Sequence, residues 1–228
     1  MQNVQETNAR GAQVMRGLVR PVLVSSIFFM VVTGVAYPLA TTGAAQLMFR
    51  KQAQGSLIER EGKAIGSAIL GQNFTRPEYF HPRPSMTVGA DPADSSKTVD
   101  QPYNAASSGA SNQGVLSKKL IDLVTARAEA YRTENGLEPN APVPVDAVTA
   151  SASGLDPEIS VANAKLQMQR VAKARGVSAD RISTLLDQQT SQRQLGVLGD
   201  PRVNVLQLNL ALDASVKAQP ITARPAAR

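Results

Sequence analysis

One stretch constrains this chain more than any other. From Pro21 to Phe49 the residues PVLVSSIFFMVVTGVAYPLATTGAAQLMF carry no charge, and the first two-thirds is rich in Val, Ile, Leu, Phe and Met. An α-helix rises ~1.5 Å per residue, so about 20 residues cross a hydrocarbon core ~30 Å thick. The apolar part alone, Pro21 to Leu39, reaches that length. A cleaved signal peptide would have a shorter apolar core, of ~7–15 residues, and a clear small-residue cleavage site, for which Ala40 and Ala44–Ala45 give only a vague match. The stretch therefore predicts a retained membrane span. Arg10, Arg16 and Arg20 precede it against Glu6, while Arg50 and Lys51 after it are soon diluted by Glu59 and Glu61. By the positive-inside rule this places 1–20 in the cytoplasm, 21–49 across the inner membrane and 50–215 outside as a periplasmic domain, with 216–228 a flexible basic tail. Pro21 suits a first helical turn, and Pro38 with Gly43 predicts a kink or an early end.

The residue inventory removes several function classes. Cysteine is absent and His81 is the single histidine, which leaves no disulfide, no Cys-based metal site and no HExxH motif. A net charge of +6 invites a nucleic-acid reading. The basic residues, however, are spread and interleaved with acids, without a Lys/Arg block or an aromatic stacking platform, so no nucleic-acid partner is expected.

Past the span, the helix is expected to continue over 44–55. Leu57–Leu70 reads as strand, turn, strand. Residues 74–114 hold Pro77, Pro82, Pro84, Pro92 and Pro102 and nearly exclude regular structure, but Phe74, Tyr79, Phe80 and Tyr103 argue for an ordered loop packed on the domain. A helix is predicted over Val115–Glu134, with Leu116, Leu120, Leu123, Val124 and Ala128 as its apolar stripe. VPVDAV (143–148) looks extended. Ser160 caps a helix over Val161–Arg175 that Gly176 ends, and Ser178 caps another over Ala179–Gln189. Leu206, Leu208, Leu210 and Leu212 alternate with other residues and predict a half-buried strand. The fold class is α+β: one N-terminal transmembrane helix, then a single mixed α+β extracytoplasmic domain with long ordered loops.

No P-loop is present, and no GxGxxG follows a strand. SSGASNQG (Ser107–Gly114) is small, polar and placed just before a predicted helix, where Ser108, Gly109, Ser111, Asn112 and Gly114 are candidates to cradle a nucleotide phosphate or another anion, or simply to form turns. The serines of TASASGL lack both a His partner and a GxSxG elbow. His81 is expected to pack or hydrogen-bond locally. Asp146 and Asp156 flank TASASGL as a possible carboxylate pair. Read from the residues alone, the chain is a membrane-anchored accessory or binding domain, with no catalytic residue and no metal site.

Several runs together resemble the KdpC family, the C subunit of bacterial potassium-transporting P-type ATPases. They are GQNFTRPEYFHPRPS (71–85), SGASNQG (108–114), PVPVDAVTASASGLDPEIS (142–160), RVAKARG (170–176) and LGVLGDPRVNVLQLNLAL (195–212), in the family's order. Two positions depart: Glu158 stands where the family usually has His, and Ala110 replaces the second glycine of SGGSN. The resemblance implies a non-catalytic, single-span accessory subunit of a high-affinity potassium uptake pump. Its partners would be a channel-like potassium-binding subunit, a P-type ATPase subunit and a small one-span subunit. It further implies a role in assembly and in raising ATP affinity, from a position over the potassium entrance. ATP and potassium would belong to the complex, with no cofactor bound by this chain. Ser25, Ser26, Gly34 and Ala36 would let the span approach a partner helix closely. Tyr79, Phe80, Arg83, Asp146 and Asp156, in the loops at 74–114 and 142–160, are candidate subunit contacts. Asp91, Asp94 and Asp100 are the only clustered acids for attracting cations. With the Ser107–Gly114 segment outside, any effect on ATP affinity would travel through the membrane subunits. The alternatives are a regulator that binds ATP directly on an inward-facing domain, and an anchored extracytoplasmic module that binds a solute or wall component.

Overall fold

A computed structural model describes residues 2–215, with side chains from residue 17 onward; the tail expected over 216–228 lies outside the described residues. The chain divides into two compact units, Met1–Ser56 and Leu57–Arg228.

The first unit is helical. Helix α1 (Gln2–Val31) leads through a π-helical turn (Val32–Ala36) into α2 (Tyr37–Met48), and Gly17–Met48 is long and apolar enough to cross a bilayer. Pro21 lies inside α1 rather than at its first turn, because the helix starts far earlier than the apolar run. The expected interruption at Pro38 takes a particular form. Proline has no N–H, and its ring would strike the carbonyl of Gly34 in a regular turn. The chain widens by one residue instead, with the Tyr37 N–H reaching Val32 O, and the helix carries on to Met48. It breaks at Phe49 (φ −137°, ψ 48°), and a single turn, α3 (Arg50–Ala53), follows.

The second unit is mixed α and β, as the fold class predicts. Strands β1 (Leu57–Arg60) and β2 (Lys63–Ser67) form the expected hairpin, closed by the two-residue turn Glu61–Gly62. The Pro-rich loop is ordered and packs on the domain, but it contains a second hairpin, β3 (Val88–Ala90) with β4 (Thr98–Asp100). Helix α4 (Lys118–Asn135) starts three residues later than predicted, and Leu116 is left outside it, 90% exposed. Residues 143–148 are not extended: Val145–Val148 is a single turn, α5. Strand β5 (Glu158–Ser160) runs into α6 (Val161–Arg175), followed by α7 (Ala179–Gln189), β6 (Thr190–Ser191), β7 (Arg202–Asn204) and α8 (Val205–Ser215). The sheet order is β5-β7-β6, antiparallel throughout.

Helix α6 is built as its sequence specifies. The Ser160 hydroxyl accepts the Asn163 N–H at 3.1 Å. Gly176 at φ +66° closes the far end, where the Val177 N–H reaches Ala172 O at 3.1 Å. Ser160→Ala is therefore expected to cost about 1–2 kcal/mol, readable as an earlier urea midpoint.

The strand expected at 206–212 is helix α8. Its buried positions are Val205, Leu206, Leu208, Asn209 and Leu212, a helical spacing in which Leu210 is only partly covered. Asn204 ends β7, and its side chain accepts the Gln207 N–H at 3.0 Å, an N-cap that turns the chain into a helix. Alternating leucines satisfied both periods over so short a run. The core gathers Phe80, Ile159, Val171, Ile182, Leu186, Val203, Leu208 and Leu212 between the small sheet and helices α6, α7 and α8.

Candidate functional site

The segment Gly71–Ser85 crosses the helical layer as a strap, and buried polar side chains hold it there. Asn209 on α8 accepts the Phe80 N–H and donates to the Phe80 carbonyl, both at 2.9 Å. One residue on, Gln167 of α6 accepts the His81 N–H at 2.7 Å and donates to its carbonyl at 3.1 Å. Each amide thus pairs with an extended backbone as a neighbouring strand would. Arg170 donates to Pro77 O (2.7 Å), Tyr79 O (2.9 Å), Asn135 Oδ1 (3.0 Å) and Gln167 Oε1 (2.7 Å). Burial pushes its guanidinium below the usual arginine range. Arg175, fully buried, donates to Glu78 O at 2.7 Å and pairs with Asp213 at 2.9 Å. Tyr79 lies between the guanidinium groups of Arg76 and Arg175, each 5.0 Å from its ring centre, with its hydroxyl 3.1 Å from Asp213.

The Ser107–Gly114 segment meets two other small-residue segments. The Ser108 hydroxyl and the Gly109 N–H both reach the Ser153 carbonyl, at 3.0 and 2.9 Å. Ser85 donates to Gly154 O at 2.7 Å. Gly154 sits at φ +68°, and a Cβ there would lie 2.7 Å from both Gly109 O and the Thr87 methyl. Gly154→Ala is expected to destabilise by more than the ~1 kcal/mol of the left-handed backbone alone, because Gly109 O must also move. Lost protection of the Gly109 amide in hydrogen exchange would report that displacement.

Of the remaining candidates in this segment, Ser111 and Gly114 take up internal bonds through their backbone carbonyls. Ser111 O accepts from Gln113, Asn112 adopts φ +50°, and Gly114 O accepts the Ser117 N–H. Ser117 precedes α4 without capping it, since its hydroxyl donates to Gln113 at 2.8 Å.

Asp146 and Asp156 do not pair with each other. Asp146 accepts from the Ser160 N–H (2.8 Å), the Ser160 hydroxyl (2.9 Å) and Asn163 (3.0 Å), tying α5 to the start of α6. Asp156 pairs with Arg83 at 2.8 Å and accepts the Glu158 N–H at 3.0 Å. Phe80, named as a contact candidate, has no exposed surface and fills the core, while Tyr79, Arg83, Asp146 and Asp156 are half-buried. Ser25, Ser26, Gly34 and Ala36 are exposed on the apolar helix. Asp94 is held below the usual carboxylate range by Ser96 and then Lys97, within its own turn.

His81 does more than bond locally. Its Nδ1 lies 2.9 Å from Glu134 on α4 and its Nε2 3.0 Å from Arg76 O. That hydrogen bond holds Glu134 below the usual carboxylate range. A depressed carboxyl contributes stability that is whole above its unfolded value, near 4.5, and is lost as the pH falls through the folded value. Glu134→Gln should therefore flatten the loss of stability below pH ~4.5, measured by urea unfolding across pH.

Asn163, Gln167 and Arg170 form a buried polar row at helical spacing on α6, and reading by hydropathy missed it. The usable signal was their spacing of four and three, in step with Ala164 and Val171.

Residues 19–214 match the family model of the K+-transporting ATPase c chain, KdpC. Curated relatives carry the name potassium-transporting ATPase KdpC subunit. The protein of Rhodopseudomonas palustris strain TIE-1 is 56% identical over 197 residues, covering 86% of this chain and 96% of that one. That of Bradyrhizobium diazoefficiens is 54% identical over 195 residues, covering 86% and 96%. That of Methylobacterium nodulans is 53% identical over 194 residues, covering 85% and 95%.

Proposed function

This chain belongs to the KdpC family, the c chain of K+-transporting ATPases, and from that membership we propose that it is a non-catalytic subunit that stabilises the pump's assembly and tunes it from outside the membrane. Its partners are the channel-like potassium-binding subunit, the P-type ATPase subunit and the small one-span subunit. Its apolar helix lies in the lipid beside the channel-like subunit, with Ser25, Ser26, Gly34 and Ala36 at the closest approach. Its outer domain stands near the ion entrance and meets its partners through the loops at 74–114 and 142–160, where Tyr79, Arg83, Asp146 and Asp156 remain contact candidates.

What carries this reading is where the chemically capable side chains point. His81, Asp146, Asp156, Ser108 and Ser153 all bond within the domain. The result is a stiff outer surface, suited to hold or gate a neighbour. An effect on ATP affinity then acts as a coupling free energy through the membrane subunits, and ATP is bound elsewhere in the complex. The surplus of arginine ahead of the span supports the outside placement.

Sidedness tests the proposal. The chain has no cysteine, so single cysteines at Ser108 and Lys118 can be labelled in intact cells with a membrane-impermeant thiol reagent. Labelling from outside is expected, with a cytoplasmic cysteine control silent. Labelling only after lysis would overturn the outside placement and favour direct nucleotide binding at Ser108–Gly114.

A further inference from the structure

Arg132 of α4 is partly buried, donates to Ala141 O at 2.8 Å and has no carboxylate within ion-pair distance among the described residues. What sets Arg127, in the middle of the same helix, apart is its place at a cleft. The Arg127 Nη1 donates to Val148 O at 3.2 Å, and its Nη2 lies 3.3 Å from the Met86 sulfur. No carboxylate stands within ion-pair distance of it among the described residues. Arg170 also lacks a carboxylate at that distance, but four oxygen acceptors surround it. A thioether is a weak acceptor, so Arg127 has one strong partner for five N–H donors. Burial alone lowers its affinity for the proton, with no acid to offset it.

This guanidinium lines a cleft of about 310 Å³. Pro82, Pro84, Pro102, Tyr103 and Tyr131 supply apolar and aromatic walls. The other charges at the cleft are already matched: Arg83 by Asp156 at 2.8 Å, and Glu134 by His81 at 2.9 Å. One wall is the strap that Gln167 and Asn209 hold by its backbone, so the cleft is formed before anything enters it.

We propose that the cleft beside Arg127 receives an acidic side chain, Asp or Glu, from another subunit of the ATPase. A carboxylate matches the guanidinium fork in charge and geometry. The volume holds a side chain with its flanking backbone, and rings of Pro and Tyr suit that apolar stem. The proposal rests on the assembly role given above and adds the contact that serves it.

The test uses the full-length chain, tagged and co-expressed with the other pump subunits, as wild type and as Arg127→Gln, Arg127→Lys and Arg127→Glu. Recovered complex is expected to fall ~10-fold or more for the Gln and Glu variants and less for Lys. Added salt should weaken the wild-type complex more steeply than the Gln variant. Thermal unfolding of the free Gln and Lys chains should match wild type, because both side chains keep an N–H donor for Val148 O, whereas a Glu carboxylate has none. Wild-type recovery and salt dependence for Arg127→Glu would overturn the proposal. So would equal losses for Lys and Gln accompanied by an earlier unfolding of the free chain, which would make Arg127 a structural residue. Assembly indifferent to Arg127, together with Arg127-dependent binding of inorganic phosphate by the free chain, would assign the cleft to a free anion and overturn it as well. Failure of the wild-type chain to co-purify would instead sink the assembly role itself.

Discussion

Phe80→Ala is expected to destabilise the α+β domain by about 3–5 kcal/mol, read from urea unfolding of the full-length chain in detergent. The ring is fully buried, and it comes from an irregular strap rather than from a helix that could shift to fill the space. Asn209 fixes the Phe80 N–H and carbonyl at 2.9 Å each, so the backbone cannot follow the shortened side chain inward. A cavity should therefore persist, and the cost should lie at the upper end of the range. Phe80→Leu keeps most of the volume and should lose about half as much or less. A cost below ~1 kcal/mol for Phe80→Ala would mean that the strap collapses freely and is not held by its backbone.

The second large effect lies at Arg175 and Asp213, and here the two partners should not be equivalent. Arg175 is fully buried, whereas the Asp213 side chain is 31% exposed. Asp213→Ala leaves a buried guanidinium without the one carboxylate within ion-pair distance among the described residues. Loss of a buried cation's partner costs about 3–5 kcal/mol. Arg175→Met leaves Asp213 able to turn to water and removes the bond to Glu78 O together with the other contacts of the guanidinium, without stranding a buried charge, so about 1–3 kcal/mol is expected. Both variants also loosen Tyr79, which touches Arg175 with its ring and Asp213 with its hydroxyl. The double variant should cost less than the sum, a coupling that a double-mutant cycle measures directly. Equal single costs that add would show that the pair carries little energy of its own.

These two predictions sit where reading the sequence stopped short. Proline and aromatic content together indicated that the strap is ordered, and the ring of Phe80 meets that expectation by filling the core. Nothing near Phe80 in sequence names Asn209 as its partner, because 129 residues separate them. The alternating leucines of α8 read as a strand, since a short apolar run fits period two and period 3.6 alike. The cap at Asn204 and the burial of Asn209 decide for the helix. Within the Pro-rich loop, β3 and β4 are three residues each, too short to leave a periodic trace.

What the sequence determined by itself is whatever neighbours along the chain can encode. The uncharged run specifies a helix long enough for a bilayer, Ser160 and Gly176 bound α6, and five ordered runs identify the family. Tertiary structure alone decided which polar groups are buried, that Asp146 and Asp156 serve different partners, and that Ser85, Gly109 and Gly154 meet. It alone left Arg127 at a cleft with no carboxylate within ion-pair distance among the described residues. The reason is physical. Caps and hydrophobic length act over a few residues, whereas a buried amide or guanidinium is stable only beside its acceptors, and the fold must first bring these from distant parts of the chain.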